Sequence, residues 1–170
     1  MKVLIKKEDL KRRIKELAKQ ISEDYRGKTP VFIAILKGAF IFLSDLIREL
    51  EIDCIVDFMA VTSYNGSTES SGAVEFLKDV TMDIQGKDVI IVEDIVDTGL
   101  TLDYIKKVLE LRKPASLKIC VLLDKKKKRR VKIEPDYVGF EIGDVFVVGY
   151  GLDFGEKYRN LPEIYCYEER

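Results

Sequence analysis

The chain contains no histidine at all among its 170 residues. That absence removes Ser-His-Asp and Cys-His nucleophilic catalysis and most zinc sites together. Acid–base chemistry must therefore fall to carboxylates, Lys, Tyr or Cys. Cysteine is sparse as well: Cys54, Cys120 and Cys166 are odd in number, far apart, and form no CxxC pair. This pattern predicts reduced structural thiols in a cytoplasmic protein, not a disulfide scaffold. Asn and Gln occur only twice each while Lys and Glu abound, a composition that fits a heat-adapted source.

No sign of charge dominates either. Twenty-nine Lys and Arg face 30 Asp and Glu, for a net charge of -1, so nothing global directs the protein to nucleic acid or an anionic membrane. A charged ligand must be met locally. Long hydrophobic runs are missing too. The start, MKVLIKKEDLKRR, lacks a signal-peptide core, and the most apolar stretch, Val31 to Ile47, is interrupted by Lys37, Gly38 and Asp45; no membrane span is expected. What is present is 46% apolar and 35% charged residues, enough for one sizeable core under a charged surface, and a single domain over 1–170 is expected.

Hydrophobic periodicity organises the chain. Leu10, Ile14, Leu17, Ala18 and Ile21 share one face of a helix predicted over 8–25. The run Val31 to Leu36 reads as a strand buried on both faces, 39–50 as a helix and 52–62 as a strand, which together make a βαβ unit and imply a parallel sheet. Residues 63–72, SYNGSTESSG, have almost no apolar content and read as a mobile loop, with a short returning strand over 73–78. A second βαβ unit follows: strand 89–92, helix 100–111, strand 117–123. Brief strands are expected at 137–140, 145–148 and 164–167.

The densest chemistry lies in VIIVEDIVDTGLTL, Val89 to Leu102. An apolar strand ends at Glu93 and Asp94, a third carboxylate follows at Asp97, and Thr98 and Gly99 lead into a helix. In a parallel sheet this puts the acids at the carboxyl end of a strand, where open α/β sheets bind ligands. Thr98, Gly99 and Thr101 fall at a helix N-terminus, whose free N–H groups and dipole favour phosphate. Helix capping alone would not call for three clustered acids, whose repulsion needs a cation or donors. A phosphorylated ligand with hydroxyls, held with Mg²⁺, is the chemistry this implies. Rival motifs fail on spacing: no GxxxxGK[ST] occurs, Asp94 and Asp97 are three apart where an Asp-x-Asp pair needs two, and the glycines of 149–155 miss the dinucleotide fingerprint.

VEDIVDTGLTL resembles the phosphoribosyl-pyrophosphate motif of the type I phosphoribosyltransferases. Further strings resemble the hypoxanthine-guanine branch of that family, in order along essentially the whole chain: LKGAFIF, SYNGSTESSG, LLDK, and the stretch from Asp136 to Ile164. The resemblance implies an α/β fold of the type I phosphoribosyltransferases, with a central, mainly parallel sheet flanked by helices, a small hood from the chain ends and a mobile lid loop. It implies Mg²⁺-dependent transfer of the 5-phosphoribosyl group from phosphoribosyl pyrophosphate to N9 of hypoxanthine or guanine, giving IMP or GMP and pyrophosphate. A homodimer or homotetramer is also implied, with no nucleic-acid or membrane partner.

Residue by residue, the resemblance makes Glu93 and Asp94 the pair that holds the ribose hydroxyls, directly or through Mg²⁺. Asp97 becomes the acid–base residue at purine N7, and Asp97, Thr98, Gly99, Leu100 and Thr101 the cradle of the 5-phosphate. Lys37 and Gly38 match a loop whose backbone meets pyrophosphate, sometimes through a non-proline cis peptide, and Arg159 is a further pyrophosphate contact. Ser63 and Tyr64 belong to the lid, which would keep water from the reacting centre. Lys125 is the donor to the purine O6, Phe146 the stacking ring, Val147 a backbone contact to the base, and Asp153 a second Mg²⁺ ligand. The remainder of the basic run, Lys126 to Lys132, receives no task. Two alternatives stay open at this stage: a preference for xanthine or guanine, and a phosphoribosyl-pyrophosphate-sensing regulator that binds nucleic acid through the basic run.

Overall fold

A computed structural model of the chain describes residues 1–63 and 74–168. Its central sheet has six strands in the order β4-β3-β2-β5-β6-β7: β2 (Val31–Leu36), β3 (Ile55–Ser63), β4 (Val74–Lys78), β5 (Asp88–Val96), β6 (Ser116–Asp124) and β7 (Tyr137–Glu141). All neighbours run parallel except β3 and β4. Three α-helices cover it: α1 (Lys7–Asp24), α2 (Phe40–Arg48) and α3 (Leu100–Glu110).

Alternation along the buried strands divides the core in two. From β2, Phe32 and Ala34 join Ile90, Val92, Cys120 and Leu122 beneath the apolar faces of α1 and α2, where Leu17, Ile21, Phe42 and Leu46 are fully enclosed. Val31, Ile33 and Ile35 turn the other way, to meet Leu102, Ile105 and Leu109 of α3. Truncating one of these side chains, such as Leu17→Ala, would cost about 2–5 kcal/mol. Asp57, buried at the start of β3, fastens the segment after β4 by accepting the backbone N–H groups of Thr81 and Met82 at 2.9 and 3.2 Å. Burial alone would raise its carboxyl, but these bonds and that of Phe58 hold it below the ordinary value.

The two chain ends meet in a second sheet, with β1 (Lys2–Ile5), β9 (Ile164–Cys166) and β8 (Val147–Val148) in the order β1-β9-β8, all antiparallel. This is the expected hood. The structure departs from the sequence-based expectations at element edges. β1 was not foreseen, because in KVLI only Ile5 is buried. β5 does not stop at Glu93 and Asp94 but keeps its pairing with β6 through Val96, since Ile95 and Val96 restore apolar packing after the acids. The strand expected at 145–148 shortens to Val147–Val148, and the helix expected at 39–50 to Phe40–Arg48.

The order of strands sets the place of the site. From β2 the chain builds outward to β3 and β4, then returns to β5 on the other side of β2. Helices lie on both faces, so the crevice between the carboxyl ends of β2 and β5 is a topological switch point, where such sheets bind ligands.

Candidate active site

The loops that leave β2, β5 and β6 converge at this edge. The Leu36–Lys37 peptide, where β2 ends, is cis. Gly38 follows, and the Asp94 carboxylate packs so tightly on it that an added Cβ would lie 2.6 Å from the Asp94 carboxyl carbon. Gly151, at φ +98° in the loop after β8, closes on the Gly38 carbonyl in the same way. Three segments far apart in sequence thus touch through two glycines and one carboxylate, because no larger residue fits.

Glu93 and Asp94 stand side by side at the end of β5. Glu93 Oε1 accepts the Asp94 N–H at 3.2 Å, and Asp94 Oδ1 accepts the Ile95 N–H at 2.7 Å. Burial first, and then the neighbouring Asp94 charge, pushes the Glu93 carboxyl well above the usual range; burial raises Asp94 as well, against the pull of its hydrogen bonds and of Arg159. Such a pair either retains a proton or is neutralised by a cation. Among the described residues no three His, Cys, Asp or Glu side chains gather into a metal site. A hard divalent cation would therefore take one or two carboxylates from the chain and the rest of its ligands from substrate and water, which is how Mg²⁺ binds at phosphate sites. The acid pair fits that role. Asp153, the other expected ligand, lies 3.4 Å from Arg159 and accepts the Glu156 N–H at 2.9 Å.

Past Val96 the chain turns through Asp97 and Thr98 into Gly99, whose left-handed φ of +84° makes it the N-cap of α3. Among the described residues no side chain caps this end beyond a 3.4 Å contact from the Leu100 N–H to Thr98 Oγ1. The helix start therefore offers N–H groups to an anion. A groove of about 160 Å³ runs along Glu93, Asp97, Thr98, Gly99 and Thr101. A larger cavity of about 380 Å³, between α1, α2 and Tyr150, shares no lining residue with it.

On the β6 side, Lys125 is only 7% exposed. Its backbone N–H bonds the Val96 carbonyl at 2.9 Å, and its ammonium lies 3.8 Å from Asp97. One oxygen of Asp97 is buried without a hydrogen-bond partner; Lys128 approaches it at 3.9 Å while holding Asp144 at 3.0 Å. Sequence reasoning missed Arg129. Its guanidinium donates to Asp124 Oδ1 at 2.6 Å, the Asp97 carbonyl at 3.0 Å and the Ile133 carbonyl at 3.1 Å, so one side chain of the basic run pins the backbone at Asp97. The run gave no sign of this, because its partners are carbonyls and an acid set by tertiary folding.

Phe146 sits on the hood, 51% exposed. Its ring meets Phe154 edge-on at 5.7 Å and Tyr167 at 6.1 Å, and its carbonyl accepts the Tyr167 N–H at 2.8 Å. Val147 is buried at the start of β8. Arg159 donates to the Gly151 carbonyl at 2.7 Å and to Glu156 at 3.1 Å. Ser63 is the last residue of β3, and Tyr64 lies outside the described residues.

A switch point that carries paired acids, an open helix start and a hood made by the chain ends defines a domain of the type I phosphoribosyltransferases. Comparison with known proteins agrees, since a profile described as the phosphoribosyl transferase domain matches residues 4–155. The chain is 52% identical over 170 residues to a hypoxanthine-guanine phosphoribosyltransferase of Aquifex aeolicus, covering 99% of this chain and 96% of that one. A Bacillus subtilis protein of the same name is 47% identical over 163 residues, at 96% and 91% coverage. The crystal structure of a hypoxanthine-guanine phosphoribosyltransferase from Bacillus anthracis superposes with a TM-score of 0.96 at 49% identity, covering 99% of both chains. The chain belongs to the phosphoribosyltransferase family, in its hypoxanthine-guanine branch.

Proposed function

We propose that the protein is a purine-salvage enzyme that transfers the 5-phosphoribosyl group from phosphoribosyl pyrophosphate to N9 of hypoxanthine and guanine, forming IMP or GMP and pyrophosphate. The observation that carries this reading is one juxtaposition. Near the carboxyl end of β5, Asp94 packs against Gly38 beside Glu93, Asp97 leads into the open start of α3, and the buried Lys125 lies 3.8 Å from Asp97. The identity of 47–52% to proteins named hypoxanthine-guanine phosphoribosyltransferase supports the choice of acceptor.

In this scheme the N–H groups of Asp97 to Thr101 and the hydroxyls of Thr98 and Thr101 hold the 5-phosphate. Glu93 and Asp94 orient the ribose hydroxyls and hold Mg²⁺, assisted by Asp153. When bound, Mg²⁺ supplies positive charge to the pyrophosphate as it departs. Lys37, the backbone of Gly38 and Arg159 stabilise the same leaving group from the protein side. The C1–O bond breaks with its electron pair going to pyrophosphate, the C1–N9 bond forms, and the Asp97 carboxylate accepts the proton the purine loses from N7. Phe146 stacks on the base and Val147 offers its backbone to the pyrimidine edge.

Lys125 donates to O6. Adenine carries an amino donor at that position and would set a donor against the ammonium in place of the O6 acceptor, which is how a polar site rejects an analogue. Ser63 and Tyr64, as the resemblance implies, keep water from the reacting centre. The reading also includes a single domain over 1–170, a cytoplasmic location, and a homodimer or homotetramer. The three free thiols fit the reducing location in this reading. The test is a panel of hypoxanthine, guanine, xanthine and adenine with phosphoribosyl pyrophosphate and Mg²⁺. Turnover of hypoxanthine and guanine well above adenine is expected; turnover led by xanthine or adenine would refute the acceptor assignment.

A further inference from the structure

We propose that Glu156 is a built-in competitor of the pyrophosphate group, holding the two cations that the leaving group needs. This rests on the reading above, in which Lys37 and Arg159 face pyrophosphate. Its own basis is a contact that the sequence did not announce. Glu156 Oε2 accepts the Lys37 ammonium at 2.9 Å, across 119 residues of chain, and Oε1 accepts Arg159 Nη2 at 3.1 Å. One carboxylate thus bridges the cation after β2 and the cation of the hood loop.

The bridge is held in place from behind. Glu156 adopts a left-handed backbone, φ +67°, and its N–H is fixed by Asp153 Oδ2 at 2.9 Å. Arg159 is anchored by the Gly151 carbonyl at 2.7 Å, and Gly151 in turn rests on Gly38. Arg159 Nε is buried with no hydrogen-bond partner, so a donor remains for an anion that approaches this corner. The groups facing Glu156 are Lys37 and Arg159, with Asp153 on its own loop. Both cations hold the Glu156 carboxyl below its ordinary value, so it is ionised at neutral pH.

Two anions cannot share the same ammonium and guanidinium at full strength. A diphosphate must take these donors from Glu156 in order to bind, and when it leaves, Glu156 can take them back, so departure does not strand two cations. Lys37 and Glu156 are both about two-thirds exposed. An ion pair in that setting is weak, which suits a contact that must yield to substrate.

The experiment is calorimetric binding of pyrophosphate with Mg²⁺ to the full-length wild type, Glu156→Gln, Glu156→Ala, Lys37→Ala and the Lys37→Ala/Glu156→Gln double variant. Gln keeps the shape and the acceptor but not the charge; Ala removes both. Both single Glu156 variants should bind pyrophosphate about three- to fivefold more tightly, the range an exposed ion pair can supply. In the Lys37→Ala background the gain should shrink, because only the Arg159 contact is left to release. Unchanged or weaker binding in both Glu156 variants would overturn the proposal, and so would a gain that persists in full without Lys37, since that would be a general field effect. If Lys37→Ala alone leaves the affinity unchanged, the assignment of Lys37 to pyrophosphate fails instead, which keeps the two failures distinct.

Discussion

Gly38→Ala is the smallest change that reaches the centre of the site. The new Cβ would lie 2.6 Å from the carboxyl carbon of Asp94 and would overlap its Oδ2 outright. Ordinary contact needs about 3.5 Å, so the carboxylate must retreat by roughly an ångström. That retreat would break the 2.7 Å bond it accepts from the Ile95 N–H. Overpacking of this kind costs about 1–3 kcal/mol, which for a chain of this length lowers Tm by roughly 2–12 °C. The functional cost should be much larger, because displacing a positioning group by about 1 Å costs on the order of 10²-fold in rate. The assay is steady-state kinetics with varied phosphoribosyl pyrophosphate, alongside thermal melts. Gly143→Ala is the control, since no atom lies within 4 Å of the Cβ it would gain. A Gly38→Ala enzyme whose kcat/KM for phosphoribosyl pyrophosphate stays within about threefold of wild type would refute the claim that Gly38 exists to seat Asp94.

Three other substitutions probe the remaining parts. Asp97→Asn should lower kcat by about 10²-fold or more with phosphoribosyl pyrophosphate binding largely retained; an unchanged pre-steady-state rate would remove Asp97 from proton transfer. Lys125→Ala should erode the preference for hypoxanthine over adenine, read as the ratio of the two kcat/KM values, and an unaltered ratio would count against its contact with O6. Glu93→Gln trades activity for stability. The Glu93 carboxyl is raised in the fold above about 4.3 in the unfolded chain, so between those values the folded state binds more protons and loses stability as pH rises. The Gln variant should therefore melt higher than wild type at pH 8, with the difference closing below about pH 4; an equal or lower Tm at pH 8 would contradict the strained acid pair.

The division into legible and illegible parts follows contact range. The core strands β2 and β5 and the face of α1 could be read because their apolar residues repeat with a strand or helix period within a few positions. The acid cluster was legible for the same reason: Glu93, Asp94, Asp97 and Thr98 are neighbours in sequence and share one strand end. β1 was not, since only Ile5 of its residues is buried and its partner β9 comes from the other end of the chain. The same holds for Arg129, which seeks carbonyls, and for Glu156, whose partner Lys37 is 119 residues away. The resemblance placed Gly38 in a pyrophosphate loop and gave Gly151 no role; their need to admit Asp94 and each other is a packing fact that only the assembled fold reveals.

The most direct test of the central claim is the product balance of the purified protein with phosphoribosyl pyrophosphate, hypoxanthine and Mg²⁺, following IMP and pyrophosphate together. The geometry at Glu93, Asp94, Asp97 and Lys125 predicts one pyrophosphate for each IMP, with both lost on chelation of the metal. No IMP, or pyrophosphate released without it, would contradict phosphoribosyl transfer to a 6-oxopurine at this site.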